Sequence, residues 1–232
     1  MRAMSFVQRY GTALADFIFQ APCPLCDRPA AATLCPACQR QLRAHRYDCR
    51  QQFWQGDLPV FPWGRYDGEL RQAIAALKYD HRPRVAELLG CWLAQDWRVS
   101  AQPAALQRRM SGRSLVVVPI PMHTEKRRQR GYDQAVLLAQ AFCRSACLPL
   151  QARGLVRQRA TVPQFGLSQA ERQANLTGAF AIGQGLVSTR HAVLLLDDIY
   201  TTGATARSAV IALNQRALPV VGIVAIAAAD IR

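Results

Sequence analysis

In the second half of this chain, continuous runs of apolar residues alternate with segments in which apolar residues recur at helical spacing. Three continuous apolar runs, at 115–120, 192–196 and 220–227, are rich in valine, isoleucine and leucine, which is typical of strands buried on both faces. Between them, residues 133–147 and 204–216 carry apolar side chains at helical spacing. This order of strand, helix and strand predicts a parallel sheet and an α/β fold.

The first half of the chain shows a different pattern. Residues 63–68 indicate a strand and a turn, and residues 69–78 and 85–97 carry the apolar spacing of two helices. The stretch 100–114 contains Pro103 and Gly112 and is typical of a linker.

Three regions follow from these patterns. We predict an N-terminal helix with a cysteine-rich module at 1–50, a helical hood region and linker at 51–112, and a third domain at 113–232 that holds the parallel sheet.

No segment has the pattern of a membrane span or a signal peptide. The longest uncharged apolar run, 220–229, is shorter than the roughly 20 residues that a helical span needs. Near the N-terminus, Arg2 and Arg9 are followed by a weak apolar stretch that is broken by Asp16, which indicates a short amphipathic helix. We therefore expect a cytoplasmic protein in a reducing compartment.

Two adjacent carboxylates follow the apolar run at 192–196. Asp197 and Asp198 are expected at the carboxyl end of that strand, where ligands bind in open α/β sheets. Carboxylates there can accept hydrogen bonds from ribose hydroxyls or help to hold hydrated Mg²⁺. We expect their side chains to project into the ligand crevice and to contribute little to the core.

A short loop rich in threonine separates this acidic pair from the next predicted helix. The helix N-terminus offers unpaired N–H groups and the positive end of a dipole, which suits a phosphate. We predict a phosphate-binding loop made of Thr201, Thr202, Gly203, Ala204 and Thr205. The alternative is a plain helix cap with Thr202 as the capping residue.

A cationic turn follows the strand predicted at 115–120. Its basic residues could hold a pyrophosphate through charge-assisted hydrogen bonds, Gly131 permits tight geometry, and Asp133 can cap the next helix. The alternative is a solvated basic turn. The basic residues are Lys126, Arg127, Arg128 and Arg130.

The apolar residues of a polar segment at 157–172 follow neither the spacing of a helix nor that of a strand. Such a long irregular insert in a compact domain is typical of a lid or a binding loop, which would exclude water from a reactive sugar cation. The alternative is a disordered surface excursion.

Two Cys-x-x-Cys pairs lie close together near the N-terminus. Four thiolates at this spacing can complete a closed tetrahedral zinc site, so we predict that zinc is held by Cys23, Cys26, Cys35 and Cys38. The alternatives are a redox dithiol or plain buried cysteines, and His45 is near enough to replace one ligand. We expect Cys91, Cys143 and Cys147 to be small core residues.

The chain has a strong positive charge. Its net charge is +14, and only Lys78 and Lys126 of its 29 basic residues are lysines. Residues 108–159 hold eleven basic residues against two acidic ones, a local charge of +9, which favours anionic partners such as nucleotides, sugar phosphates, nucleic acid or acidic membranes. Aromatic side chains could stack bases or belong to the core: Phe53, Trp54, Phe61 and Trp63.

The sequence Asp-Asp-Ile-Tyr-Thr-Thr-Gly-Ala-Thr at 197–205 resembles the signature of type I phosphoribosyltransferases. The resemblance implies that Asp197 and Asp198 contact the ribose hydroxyls of 5-phosphoribosyl-1-pyrophosphate, bound with Mg²⁺. It also implies that the loop at 201–205 grips the 5′-phosphate.

Further motifs resemble those of the ComF family of competence and DNA-utilisation proteins. They are Pro-Ile-Pro at 119–121, Arg-Arg-Gln-Arg-Gly-Tyr-Asp-Gln at 127–134, Arg-x-Arg-x-Thr-x-x-Gln at 157–164, Asn-x-x-Gly-Ala-Phe at 175–180, Tyr-x-Gly-x-Leu at 66–70 and Leu-Lys-Tyr at 77–79. The resemblance implies a type I phosphoribosyltransferase-like parallel sheet with helices on both faces, preceded by a small zinc-knuckle module.

The same resemblance implies two functions. One is transfer of the phosphoribosyl group to an unknown acceptor in the context of DNA uptake, with the basic residues at 126–130 stabilising the leaving pyrophosphate. The other is non-catalytic: a phosphoribosyl-ligand sensor, or an adaptor that binds single-stranded DNA and proteins of the competence machinery.

Overall fold

The computed structural model of the protein describes residues 21–158, 178–187 and 190–229. The predicted N-terminal amphipathic helix and nearly all of the predicted lid at 157–172 lie outside the described residues.

The described residues form strands and helices in alternation along most of the chain. The strands are β1 (Phe53–Gln55), β2 (Leu58–Arg65), β3 (Ser114–Pro119), β4 (Leu155–Arg157), β5 (Phe180–Ile182), β6 (His191–Tyr200) and β7 (Val220–Ala228). The helices are α1 (Pro36–Ala44), α2 (Gly68–Tyr79), α3 (Arg84–Val99), α4 (Gln102–Arg109), α5 (Thr124–Arg130), α6 (Gln134–Ala146) and α7 (Ala204–Asn214).

Five of these strands form the central sheet, in the order β1-β2-β7-β6-β3. β2, β7, β6 and β3 run parallel, and β1 is an antiparallel edge strand. The α/β fold with a mostly parallel sheet is therefore confirmed. The carboxyl ends of the parallel strands meet at one edge of the sheet, which is where ligands bind in folds of this kind.

Helices cover both faces of the sheet because residues of the central strands alternate between two hydrophobic clusters. On β6, Leu194 and Leu196 join one cluster with α2, α3 and α6. Val193 and Leu195 join the other cluster with α7 and the antiparallel β4–β5 hairpin. The two faces thus place different elements beside the same stretch of β6.

The segment predicted as a linker, 100–114, contains helix α4 instead. Pro103 lies in the first turn of this helix, where proline is tolerated because the missing N–H has no intrahelical partner. Leu106 is buried and belongs to the core cluster that holds α2, α3 and α6. The linker prediction is therefore wrong for these residues.

The central sheet also joins regions that the sequence patterns separate. β2 comes from the predicted hood region at 51–112 and pairs with β7 of the predicted domain at 113–232. The domain boundaries stay predictions.

The cysteine-rich module packs directly on this sheet and its helices. Its Leu34 and Leu42 are buried in the same cluster as Trp63 of β2 and Trp92 of α3. The Arg43 guanidinium lies 4.2 Å from the centroid of the Trp92 ring, a cation–π contact that fixes α1 against α3.

Aromatic side chains of β1 and β2 divide between core and surface. Phe61 and Trp63 are buried, whereas 51% of Trp54 is exposed. Phe53 packs against Tyr47, with ring centroids 5.0 Å apart. Of the four aromatic residues considered for base stacking, Trp54 is the most accessible.

Within the part of the chain that the structure describes, no helix combines the length and the apolar character needed to cross a membrane.

Candidate functional site

The acidic pair lies inside β6, because this strand continues four residues beyond the predicted end. β3 stops at Pro119, opposite Leu196, so from Asp197 onward β7 is the only described strand that pairs with β6. The described strands therefore leave one side of β6 without a partner strand where the two carboxylates lie, at the carboxyl edge of the sheet.

Asp198 is the more buried member of the pair, with 4% of its surface exposed. Its Oδ2 lies 3.0 Å from the Nζ of Lys78 at the end of α2. The same oxygen accepts a 2.7 Å hydrogen bond from the Nε2 of Gln134, the first residue of α6. The expectation that both carboxylates contribute little to the core is wrong for Asp198, which joins β6 to two helices.

Lys78 remains charged in this surrounding. Burial lowers the pKa of Lys78, but the charge of Asp198 and the contact with it outweigh that effect, and the pKa is raised overall. A buried ammonium and carboxylate therefore hold each other in place.

Asp197 lies on the opposite side of β6 from Asp198 and is half-buried. Its Oδ1 accepts a 2.8 Å hydrogen bond from the backbone N–H of Asp198. Burial, and then the charge of Asp198, raise the pKa of Asp197 well above its ordinary value. A cation placed beside Asp197 would relieve this penalty.

Arg157 of β4 lies within electrostatic reach of Asp197. Burial lowers the pKa of Arg157, and the charge of Asp197 opposes that shift. The guanidinium lies 5.5 Å from the ring centroid of Phe180 on β5. Lys78, which contacts Asp198, also lowers the pKa of Asp197 through its charge. Asp197 therefore interacts electrostatically with both Lys78 and Arg157.

The predicted cationic turn is a short helix, α5. Three of its basic residues lie in the last turn, where positive charge interacts favourably with the helix dipole. The helix ends at Gly131 in the left-handed conformation, with φ 83°, which glycine adopts without strain.

Arg130 is the basic residue of α5 that the structure ties to the acidic pair. It donates to the Oε1 of Gln134, whose amide nitrogen binds Asp198. Its guanidinium also lies 5.5 Å from the centroid of the Tyr79 ring. The other basic residues of the helix are exposed: Lys126, Arg127 and Arg128.

Asp133 caps α6, as predicted. Its Oδ1 accepts hydrogen bonds from the N–H groups of Ala135 and Val136. Its Oδ2 accepts a third bond, from the N–H of Met122. This carboxylate fixes the start of α6, and with it the position of Gln134.

The predicted phosphate loop connects β6 to α7. Thr201 and Thr202 are exposed, and Gly203 is buried with φ 70°. Gly203, and not Thr202, is the N-cap residue of α7, and no side chain caps this described helix end. The structure therefore does not support the plain cap by Thr202. The loop reaches the helix within three residues of β6, at the sheet edge where the acidic pair lies.

Sequence reasoning missed several residues of this site because they are distant along the chain. Lys78 and Gln134 contribute the contacts to Asp198, and Arg157 lies on the other side of the pair. All three residues lie in motifs quoted above, at 77–79, 127–134 and 157–164. Lys78 is also one of two lysines in a chain that otherwise uses arginine.

The four cysteines of the two Cys-x-x-Cys pairs meet in one cluster. Their sulfur atoms all lie within 4.8 Å of one another, and the Sγ atoms of Cys26 and Cys35 are 3.6 Å apart. A tetrahedral zinc site with Zn–S bonds of about 2.3 Å requires sulfurs about 3.8 Å apart. The residues therefore fit a metal ion such as zinc.

Local backbone structure brings these sulfurs together. The carbonyl of Cys23 accepts hydrogen bonds from the N–H groups of Cys26 and Asp27, and Asp27 adopts φ 58°, so the first pair forms a tight turn. Cys35 is the N-cap residue of α1, and its sulfur accepts from the N–H of Cys38. This hydrogen bond lowers the pKa of Cys35 to about 7, which favours the thiolate that metals bind.

His45 does not belong to this cluster. Its Nε2 lies 2.7 Å from the Oε2 of Glu69 on α2. The possibility that it replaces a cysteine ligand therefore has no support in the structure.

The remaining helical cysteines differ in burial. Cys143 is buried, and burial raises its pKa to about 12. Cys91 is half-buried, and Cys147 is exposed at the end of α6. The prediction of a core residue is confirmed for Cys143 and wrong for Cys147.

Together, these features define an α/β protein with an acidic pair at the carboxyl edge of its sheet and a four-cysteine cluster. The chain matches no family model. It is 31% identical to competence protein F of Haemophilus influenzae over 190 residues, which are 74% of this chain and 80% of that protein. It therefore belongs to the ComF family, as its motifs indicate.

Two further relatives carry the name DNA utilization protein YhgH. The chain is 29% identical to that of Salmonella typhi over 207 residues, 79% of this chain and 86% of the relative. It is 29% identical to that of Escherichia coli K12 over 193 residues, 79% of each chain.

Proposed function

We propose that this protein binds 5-phosphoribosyl-1-pyrophosphate with Mg²⁺ at Asp197–Thr205 and transfers the phosphoribosyl group to an acceptor. The observation that carries the proposal is the arrangement of the acidic pair. Both carboxylates lie where β6 extends beyond the end of β3, at the carboxyl edge of the sheet. They come immediately before a glycine-containing loop and the N-terminus of α7, which no described side chain caps.

The ribose hydroxyls would bind the acidic pair. Lys78 and Gln134 both contact the Oδ2 of Asp198, so among the described residues its Oδ1 is the oxygen left for a hydroxyl donor. Asp197, whose pKa burial raises, would gain most from a nearby divalent cation, and carboxylate oxygens are ligands that Mg²⁺ prefers. When bound, Mg²⁺ would neutralise pyrophosphate charge.

The 5′-phosphate would bind the loop at 201–205, through the hydroxyls of Thr201, Thr202 and Thr205 and the amides around Gly203 and Ala204. Leaving-group charge would be stabilised from α5 and its C-cap, by Lys126, Arg127, Arg128, Arg130 and Gly131. Arg130 is the best supported of these, because it already contacts Gln134 beside Asp198.

We propose that the four-cysteine cluster holds a structural zinc ion. Cys23, Cys35 and Cys38 are buried in the core cluster that also includes α2 and α3. A metal there would tie the N-terminal module to the sheet, with no open position for catalysis.

We further propose that the phosphoribosyl chemistry serves DNA uptake or utilisation. The support is the names of the relatives, competence protein F and DNA utilization protein YhgH, together with the local charge of +9 over 108–159. The same observations favour a second candidate, a non-catalytic adaptor or sensor that binds single-stranded DNA or a phosphoribosyl ligand.

A pyrophosphate-release assay over a panel of nucleobases, run beside a single-stranded DNA binding assay, separates the two candidates. A transferase releases pyrophosphate from 5-phosphoribosyl-1-pyrophosphate only with Mg²⁺ and one acceptor of the panel. Asp197→Asn combined with Asp198→Asn should abolish this release. Binding of ligand or DNA without release for any acceptor would favour the adaptor or sensor.

A further inference from the structure

We propose that residues 79–84 form a docking surface for single-stranded nucleic acid, on which one base stacks against Tyr79. This inference rests on the DNA part of the proposed function and adds where the strand binds. All six residues, from Tyr79 to Arg84, are exposed and connect α2 to α3.

Tyr79 has the geometry of a stacking platform. It is 71% exposed, the second most exposed of the large hydrophobic side chains in the described chain. The Arg130 guanidinium lies 5.5 Å from its ring centroid, so a cation contacts the ring while most of its surface remains open to solvent. Aromatic rings of this kind bind bases with little sequence preference, because every base has a flat apolar face.

The neighbouring residues supply charge for a phosphate backbone. Arg82 and Arg84 follow Tyr79 in the same segment, together with His81, against the single carboxylate of Asp80. None of the ion pairs within the described residues uses Arg82 or Arg84. Their guanidinium groups are therefore available to displace counterions from a strand.

Backbone hydrogen bonds order the segment without a ligand. The carbonyl of Ala76 accepts from the N–H groups of Asp80 and Arg82. One turn earlier, the hydroxyl of Tyr132 donates to the carbonyl of Leu77, which fixes the end of α2 to the end of α5. A surface ordered in advance loses less conformational entropy when it binds.

The segment also adjoins the acidic pair. Lys78, which precedes Tyr79, binds Asp198, and Arg130 reaches the same carboxylate through Gln134. A base stacked on Tyr79 would therefore lie at the rim of the proposed phosphoribosyl site.

Two probes of equal charge test the stacking separately from electrostatic attraction. They are a fluorescein-labelled oligothymidylate of about 12 nucleotides, within the site sizes of single-strand binding domains, and an abasic oligomer of the same length. By fluorescence anisotropy at low salt, the unchanged protein should bind the oligothymidylate about tenfold more tightly. Tyr79→Leu should abolish this preference, and Tyr79→Phe should retain it.

Trp54→Leu is the matched control, because Trp54 is the exposed aromatic residue of edge strand β1, and it should leave the preference unchanged. The inference is overturned if the unchanged protein binds neither probe, if it binds both equally, or if Tyr79→Leu keeps the preference. Titration with 5-phosphoribosyl-1-pyrophosphate without DNA tests the sugar-phosphate proposal separately, so either can fail while the other stands.

Discussion

The four-cysteine cluster and the acidic-pair site bring their polar groups together in different ways. The cysteines span only residues 23–38 and meet through one tight turn and one helix N-cap. The acidic pair instead depends on Lys78 and Gln134, which come from two other helices far along the chain.

This difference indicates which groups need a partner from outside the chain, such as a metal ion. Within the described residues, the contacts that order the clustered sulfurs include no basic side chain, so their thiolate forms gain most from a metal ion. Asp198 already has a cation and an amide from its own chain. The cluster should therefore respond to metal removal by losing structure, whereas the acidic pair should respond to substitution through both stability and binding.

The largest expected effect is that of Cys35→Ser. Structural zinc sites contribute roughly 10 kcal/mol or more to folding, and Cys35 also caps α1. We expect the unchanged protein to contain about one Zn²⁺ per chain and the variant to lose it and fold poorly, as elemental analysis and thermal melting would show. Cys147→Ser is the control, because Cys147 is exposed and should affect neither measurement. Reduced, freshly purified protein without zinc would refute this prediction.

A smaller loss of stability is expected from Asp198→Ala. The change leaves the Lys78 ammonium without its carboxylate, and breaking a buried pair from one side costs about 3 kcal/mol. Chemical denaturation should report this loss. Adding Lys78→Met should restore part of the stability, since the unpaired charge is then gone. Equal stability of Asp198→Ala and the unchanged protein would show that the pair does not hold α2 to β6.

A third effect concerns the pH dependence of stability at Asp197. Because its pKa is raised in the folded protein, the folded state binds its proton more tightly than the unfolded state does. Ionisation of Asp197 therefore costs stability as pH rises from the ordinary aspartate pKa of about 4 toward the raised value. Asp197→Asn should remove this fall. The measurement is the difference between the melting curves of the two proteins across pH, and a constant difference would contradict the prediction.

The smallest expected effect is on the salt dependence of DNA binding. Affinity for the oligothymidylate should fall steeply with ionic strength. On a plot of log affinity against log salt concentration, each phosphate contact contributes about 0.7 to the negative slope. Arg82→Gln combined with Arg84→Gln should make this slope shallower by the contribution of about one to two phosphate contacts. Arg216→Gln is the control, because Arg216 is an exposed arginine that follows the C-terminal end of α7. A flat salt response of the unchanged protein would remove the electrostatic support for DNA binding.

The sequence predicted elements whose signal is continuous and local. The apolar runs of β3, β6 and β7 and the helical spacing of α2, α3, α6 and α7 were recognised, each within a few residues of its bounds. The sequence pattern ends β6 too early, because carboxylates inside a strand resemble a strand end. The sequence of α5 predicts a turn, because its seven residues have no buried face.

Strands and contacts that depend on a partner distant along the chain could not be predicted from such local patterns. β1, β4 and β5 have three residues each, too few for a period, and they exist because another strand lies beside them. The same holds for the site: Asp197, Asp198 and the loop at 201–205 are contiguous, whereas the contacts of Lys78 and Gln134 follow from packing of α2 and α6 on the sheet.

The central claim is tested most directly by calorimetric titration with 5-phosphoribosyl-1-pyrophosphate in the presence of Mg²⁺. Asn at both positions of the acidic pair, Asp197→Asn plus Asp198→Asn, keeps the size of the side chains while removing their charge. Each lost hydrogen bond to a charged acceptor costs about 1.5–3 kcal/mol, so two predict a loss of about a hundredfold or more in affinity. Asp48→Asn plus Asp57→Asn removes two charges elsewhere and should bind like the unchanged protein. With melting curves confirming that each protein is folded, equal affinity of the acidic-pair variant, or no binding by the unchanged protein, would contradict the account.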